Sequence, residues 1–238
     1  MGLNSLAVTR FPGGVTNRPE NDIWGGSIPL LDPTVFHSYF EDFDYYTAAN
    51  WTVTSTGAAT QALASGNNGL ILLTNTAADD DITQIQKVGA SFVPVVGKKF
   101  FLRAIFQLSD VVQSDFAIGI QLPNVSGTDL AVALDGIFFL KADGAATIAL
   151  YSRQDNTTGS VNSGAIATLV NATLVNLACY YDGVDRIYYA INNVVLGFIT
   201  VSTALLPNVA CAPIIALRNG EAVAKTATID LLFVAQER

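Results

Sequence analysis

Leu174-Val175-Asn176-Leu177-Ala178-Cys179-Tyr180-Tyr181-Asp182-Gly183-Val184-Asp185-Arg186-Ile187-Tyr188-Tyr189-Ala190-Ile191-Asn192-Asn193-Val194-Val195-Leu196-Gly197-Phe198-Ile199-Thr200-Val201 is the stretch on which the fold turns. Three runs rich in β-branched and aromatic residues are joined by Asp182-Gly183 and by Asn192-Asn193. Such pairs tolerate the positive φ values that tight hairpin turns demand. The spacing therefore predicts a three-stranded meander, with strands over Leu174 to Tyr181, Arg186 to Ile191 and Val194 to Val201. Side chains alternate along a strand, so Tyr180 and Tyr181 point to opposite faces, as do Tyr188 and Tyr189. One of each pair is expected in the core and one outward.

The same grammar extends in both directions. Asp143-Gly144 joins a run from Gly136 to Lys141 with one from Thr147 to Arg153, and Asn219-Gly220 precedes a last strand from Thr226 to Ala235. In that strand Ile229, Leu231 and Phe233 are expected on one side, with Asp230 and Leu232 on the other. The run from Asp115 to Leu122 alternates like a half-buried strand. Lys98 to Leu108 reads as a long strand with Arg103 and Gln107 on its wetter side, and a hairpin through Asp110 to Ser114 would join the two. Ile166, Leu169, Val170 and Leu174 also fit a helix, but the strand reading is preferred there. The total is roughly a dozen strands and one helical turn near Thr203 to Leu206, with no βα alternation. This predicts an all-β fold: an antiparallel β-sandwich of the jelly-roll type over residues 39–238.

Residues 1–38 read differently. Phe11-Pro12-Gly13-Gly14, Pro19, Gly25-Gly26, Pro29 and Pro33 interrupt every candidate element, which predicts an extended arm. Its apolar residues, among them Phe11, Ile23, Trp24, Leu30, Leu31 and Phe36, are too many for a solvated linker and are expected to bind a partner surface.

Of the 238 residues 50% are apolar and only 13% charged. Ordinary soluble domains carry about 25% charged residues, so this chain is not disordered and must hide surface somewhere. Residues 1 to 86 hold two cations against nine acids, and the remainder ten against eleven. Without a basic patch, nucleic acid is not an expected partner. Three uncharged runs, 45–78, 156–181 and 187–217, are cut by turn residues such as Gly66-Asn67-Asn68-Gly69 and Pro207-Asn208, so none is expected to span a membrane. The opening residues predict no secretory signal.

Catalytic and metal chemistry find little to work with. Glycoside hydrolysis needs two flanking carboxylates; the chain has four glutamates, and Glu41 and Asp44 would lie on opposite faces of an extended segment. His37, the single histidine, sits in the arm region, where a general base is poorly held. Asp79-Asp80-Asp81 reads as a solvated acidic turn and Asp182 with Asp185 as turn chemistry. Cys179 and Cys211 read as buried thiols. No cofactor and no metal are expected.

Phe40-Glu41-Asp42-Phe43-Asp44 followed by Trp51, then Tyr180-Tyr181-Asp182-Gly183 through Tyr189, then Ala216-Leu217-Arg218-Asn219 and Ile229-Asp230, resembles the concanavalin A-like lectin/glucanase jelly roll. With its apolar arm and low charge the chain is also similar to tailed-phage virion proteins, above all head decoration (cement) proteins. That resemblance implies a non-enzymatic protein on the outer surface of the head. Its partners would be the major capsid protein and further copies of itself in a homo-oligomer, a trimer. The alternative it implies is a lectin-like module of a tail fibre that binds host glycan. The outward aromatic candidates, Tyr151, Tyr180, Tyr181, Tyr188 and Tyr189, suit a protein interface and a sugar equally.

Overall fold

A computed structural model of the protein describes residues 33–66, 68–123, 130, 135–154 and 159–238. Its strands form two sheets. Across the first lie, in order, β14 (Val194–Thr200), β13 (Arg186–Ile191), β12 (Val175–Tyr181), β6 (Phe100–Leu108), β16 (Thr226–Glu237), β4 (Leu70–Thr74) and β3 (Thr60–Ala64). An eighth strand, β1 (Phe36–Glu41), pairs with the C-terminal half of β16. Across the second lie β10 (Gly159–Asn162), β9 (Thr147–Gln154), β8 (Gly136–Lys141), β7 (Ser114–Gln121), β15 (Ala212–Asn219), β5 (Ile82–Lys87) and β2 (Trp51–Ser55), with the short β11 (Ala167–Thr168) also on β9. The neighbours pair antiparallel throughout. The predicted sandwich is therefore the observed one, with sixteen strands among the described residues where about a dozen were expected.

Period-2 alternation fills the space between the sheets. From the first come Leu102, Ala104, Phe106, Leu177, Tyr181 and Ile187, and from the second Phe116, Ile118, Ile120, Phe139, Leu150, Ile215 and Leu217, all buried in one cluster. The meander forms as predicted. Asn192 and Asn193 take φ of 47° and 67°, the left-handed pair that a two-residue hairpin loop requires. The Asp182 connection is longer, and Asp182 Oδ1 holds it by accepting from the backbone N–H groups of Val184, Asp185 and Arg186.

Several expectations need correction. β6 and β7 are not a hairpin: β6 pairs with β12 and β16, whereas β7 pairs with β8 and β15. The chain between them crosses from one layer to the other, and Phe106 and Phe116 meet across the core with ring centroids 4.4 Å apart and ring planes tilted by 36°. Both rings enter the shared core from opposite sheets. Nor is β7 half-buried; both its faces are covered.

The third correction concerns β16. A bulge between Ile229 and Leu231 makes Asp230 an extra residue, so the alternation slips by one. Ile229, Leu232 and Val234 enter the core, and Leu231 and Phe233 turn outward. Strand β1 also begins at Phe36, within the segment read as arm, and Phe36 packs on the outside of the first sheet with Phe101 and Tyr180. The stretch from 164 to 177 contains no helix; β11 and the start of β12 flank a loop there.

Asp81 departs from the solvated turn assigned to it. Asp79 and Asp80 are exposed, but Asp81 is buried, accepting from Thr56 Oγ1, the Thr76 N–H and the Thr76 hydroxyl. Asn75 and Asn219 continue this network to the carbonyls of Asp81, Leu217, Thr76 and Ala78. It ties the β4–β5 connection to β15, satisfying polar groups that burial would otherwise leave at a penalty.

Candidate binding surface

The outward side of the first sheet is built from aromatic rows. Register alone places Phe101 opposite Tyr180, Tyr180 opposite Tyr188, and Tyr188 opposite Phe198, one row across four strands. A second row sets Phe40 opposite Phe233 and Phe233 opposite Arg103. Ring centroids lie 5.5 Å apart for Phe101 and Phe233, 6.2 Å for Phe40 and Phe233, 6.4 Å for Tyr180 and Tyr188, and 5.7 Å for Tyr188 and Phe198. The Arg186 guanidinium caps the row 4.5 Å above Phe198. Phe40 is 58% exposed, Phe198 46% and Val195 41%. Phe101 and Tyr180 themselves are buried in a cluster with Phe36, so the exposed apolar part of this side lies at its flanks.

Between the rows lies a groove of about 410 Å³ lined by Phe40, Phe101, Arg103, Ile105, Leu231 and Phe233. Its one cation is held by neutral partners: Arg103 Nε donates to Asn176 Oδ1 at 3.0 Å and Nη2 donates to Asn193 Oδ1 at 2.6 Å. Partial burial pulls the pKa of this guanidinium below its usual value. Asp230, the residue of the bulge, immediately precedes Leu231 of the groove lining. Burial raises the Asp230 pKa, and the neighbouring Asp42 adds to the rise.

The tyrosines predicted as outward contacts are sorted by this geometry. Tyr180 and Tyr188 lie on the outer side of the first sheet, Tyr180 buried in a cluster with Phe36 and Phe101 and Tyr188 half-buried against it. Tyr181 is fully buried in the core, its hydroxyl donating to the Val184 carbonyl, and Tyr189 packs against the same core, so neither is an outward contact. Tyr151 lies on the other sheet, stacked on Phe138 at 5.8 Å with the Arg153 guanidinium 4.7 Å from its ring. Of the arm candidates Phe36 is buried within the chain, while Phe11, Ile23, Trp24, Leu30 and Leu31 lie outside the described residues. Sequence reasoning missed Phe40, Phe101, Leu231 and Phe233. The signal available was Asp230, a charge inside an apolar strand, which marks a bulge.

The remaining candidates are structural. His37 packs 4.8 Å from the Phe92 ring with Nε2 hydrogen-bonded to Ser91 Oγ. Glu41 Oε2 accepts from the Tyr39 hydroxyl at 2.7 Å. Among the described residues no group of three or more His, Cys, Asp or Glu side chains is placed to hold a metal ion. No helix among them is long and apolar enough to cross a membrane.

No protein-family model and no curated protein matches the chain. Solved structures do resemble it. An endo-1,3-β-glucanase from Streptomyces sioyaensis aligns with a TM-score of 0.61 at 12% identity, over 88% of this chain and 99% of that one. A protein of unknown function from Shewanella oneidensis MR-1 aligns at 0.58 and 14%, over 85% and 87%. Peanut lectin aligns at 0.54 and 11%, over 84% and 97%. At these identities the likeness concerns the fold, and the chain has the jelly-roll architecture of lectins and glucanases.

Proposed function

We propose that the chain is a non-enzymatic structural protein of a phage particle, a decoration protein that binds the outer head surface and steadies contacts between capsid subunits. The reading is carried by the aromatic outer side of the first sheet, where Phe40, Phe198 and Val195 stand exposed beside a groove lined by Leu231 and Phe233. Such a face suits assembly with other protein surfaces, where aromatic anchors dominate the energy. The low charge of the whole chain and its apolar N-terminal 38 residues support the same role. Quantitative mass spectrometry of purified particles from the source tests it. The expected ratio is near one copy per copy of the most abundant shell protein; absence from particles, or a few copies per hundred shell subunits, overturns it.

The second reading, a lectin-like module that binds glycan, is favoured by the Tyr151–Phe138 stack with Arg153 on the other sheet. An aromatic face beside a fixed cation offers a sugar both a stacking surface and a hydrogen-bond donor. A glycan array probed with the full chain and with Tyr151→Ala decides this reading. It predicts a discrete set of bound glycans whose signal falls about ten-fold or more in the variant, and it fails if no glycan binds or if the variant binds equally.

A further inference from the structure

We propose that residues 23–31 of the same chain lie across the outer side of the first sheet, with Trp24, Leu30 and Leu31 seated on the cluster of Phe36, Phe101 and Tyr180. The segment itself is outside the described residues. Its assignment goes beyond both readings above and depends on neither.

Three observations carry it. The first is burial without a cover among the described strands. Side chains on the outer side of an antiparallel sheet flank one another but keep their tips in water unless another layer lies above them. Phe36, Phe101 and Tyr180 are only 5%, 7% and 7% exposed. Among the described residues their cluster draws on β1, β6, β12, β13 and β16, all strands of that sheet. Phe101 and Tyr180 each have a further partner besides these. A layer above the rings is therefore required, and no described strand beyond this sheet contributes to it.

The second is the point at which the N-terminal segment joins the sheet. The Pro33 carbonyl accepts from Arg238 Nε, the Val35 carbonyl accepts from the Arg238 N–H, and Phe36 opens β1 opposite Glu237. Register sets Ala235 beside Phe101 and Phe101 beside Tyr180, so the chain enters β1 at the end of the sheet that carries the cluster. From β1 to β12 is three strand spacings, roughly 15 Å. Leu30 precedes Phe36 by six residues, a reach of up to about 20 Å, and Trp24 by twelve, up to about 40 Å. The whole cluster lies within that tether.

The third is composition. Residues 23–31 read Ile-Trp-Gly-Gly-Ser-Ile-Pro-Leu-Leu, without a charge, and the cluster has none either. Pro29 has no N–H to offer a strand edge, which suits packing by side chains on a face, and Gly25-Gly26 permits a reversal of direction there. A tethered segment meets its own cluster at an effective concentration on the order of millimolar, which favours the same chain over a second copy.

Tryptophan fluorescence of the full chain tests the proposal, because Trp24 and Trp51 are its two tryptophans. The difference between wild type and Trp24→Phe isolates the Trp24 signal. That signal is expected blue-shifted, quenched by acrylamide several-fold less than in the urea-unfolded chain, and unchanged on dilution. Ala178 is buried within the cluster, so Ala178→Glu places a carboxylate beneath the segment. In that variant, with the melting transition of a folded protein, Trp24 should be red-shifted and quenched as in the unfolded chain. Should it fail to fold, Tyr180→Ala replaces it, with Trp24 quenching raised several-fold. A solvated Trp24 in the wild type overturns the proposal. So does protection lost on dilution, the mark of a segment held by a second copy, and so does protection that the folded variant retains.

Discussion

Phe106→Ala is expected to lower the unfolding free energy by about 3–5 kcal/mol, the largest effect of any single truncation considered. Phe106 is fully buried on β6, a central strand of the first sheet, and its ring meets Phe116 of the second sheet at 4.4 Å. Removing it deletes a contact between the layers, at the point where neither backbone can close the gap without disrupting a ladder on both sides. Strands bonded to two neighbours relax little, so the cavity term is added to the lost transfer energy. Domains of this kind have about 5–15 kcal/mol in total, so the variant stands near its unfolding threshold at room temperature. Urea denaturation checks it: the midpoint should fall sharply with the slope unchanged. A loss below about 1 kcal/mol would mean that the layers are not locked at this position.

The second large effect is a pH dependence centred on Lys141. Its side chain is fully buried at the end of β8, with Nζ donating to the carbonyls of Val112 and Ser114. Burial pushes its pKa down from 10.5 to about 8, against the opposing pull of Asp115, Asp143 and Asp110. The unfolded chain keeps this proton up to pH 10.5, while the folded one releases it near 8. Between those values the unfolded state binds more protons, so this group makes stability rise with pH. Below pH 8 the burial penalty is fully present; a displacement from 10.5 to about 8 corresponds to about 3 kcal/mol. The measurement is the difference in unfolding free energy between wild type and Lys141→Met across pH 7 to 11, which cancels the tyrosines and thiols. Wild type should gain on the variant by about 3 kcal/mol over that range; a flat difference would show that the amine is solvated in the folded state.

Much of the architecture was legible in the sequence because its determinants are local. The Asn192-Asn193 turn, the Asp182 loop and the inward Phe116, Ile118 and Ile120 each follow from a few neighbouring residues. What was not legible depends on events between distant strands. The crossing after β6 is settled by Phe106 meeting Phe116, and no turn signal records it. The outward aromatic surface was half legible: alternation correctly separates Tyr180 from Tyr181 and Tyr188 from Tyr189, but Leu231 and Phe233 were assigned to the wrong side because one extra residue, Asp230, inverts everything after it. Arg103 was rightly expected on the wetter side. Its neutral partners, Asn176 and Asn193, come from another strand and a turn, beyond any local pattern.

The order of strands has a consequence for how the molecule comes into being. Among the described residues β1, β3 and β4 join the rest of the first sheet only through β16, and β2 and β5 join the rest of the second only through β15. The strands nearest the beginning of the chain therefore attach through the two made last. A ribosome that has released everything up to residue 210 holds half of each sheet with an open flank, and the early strands have nothing to pair with except one another. Such long-range closure slows folding and leaves strand edges exposed while it waits. Completion is a final event at the middle of both layers, and a chain cut short before β15 would leave its first third unattached.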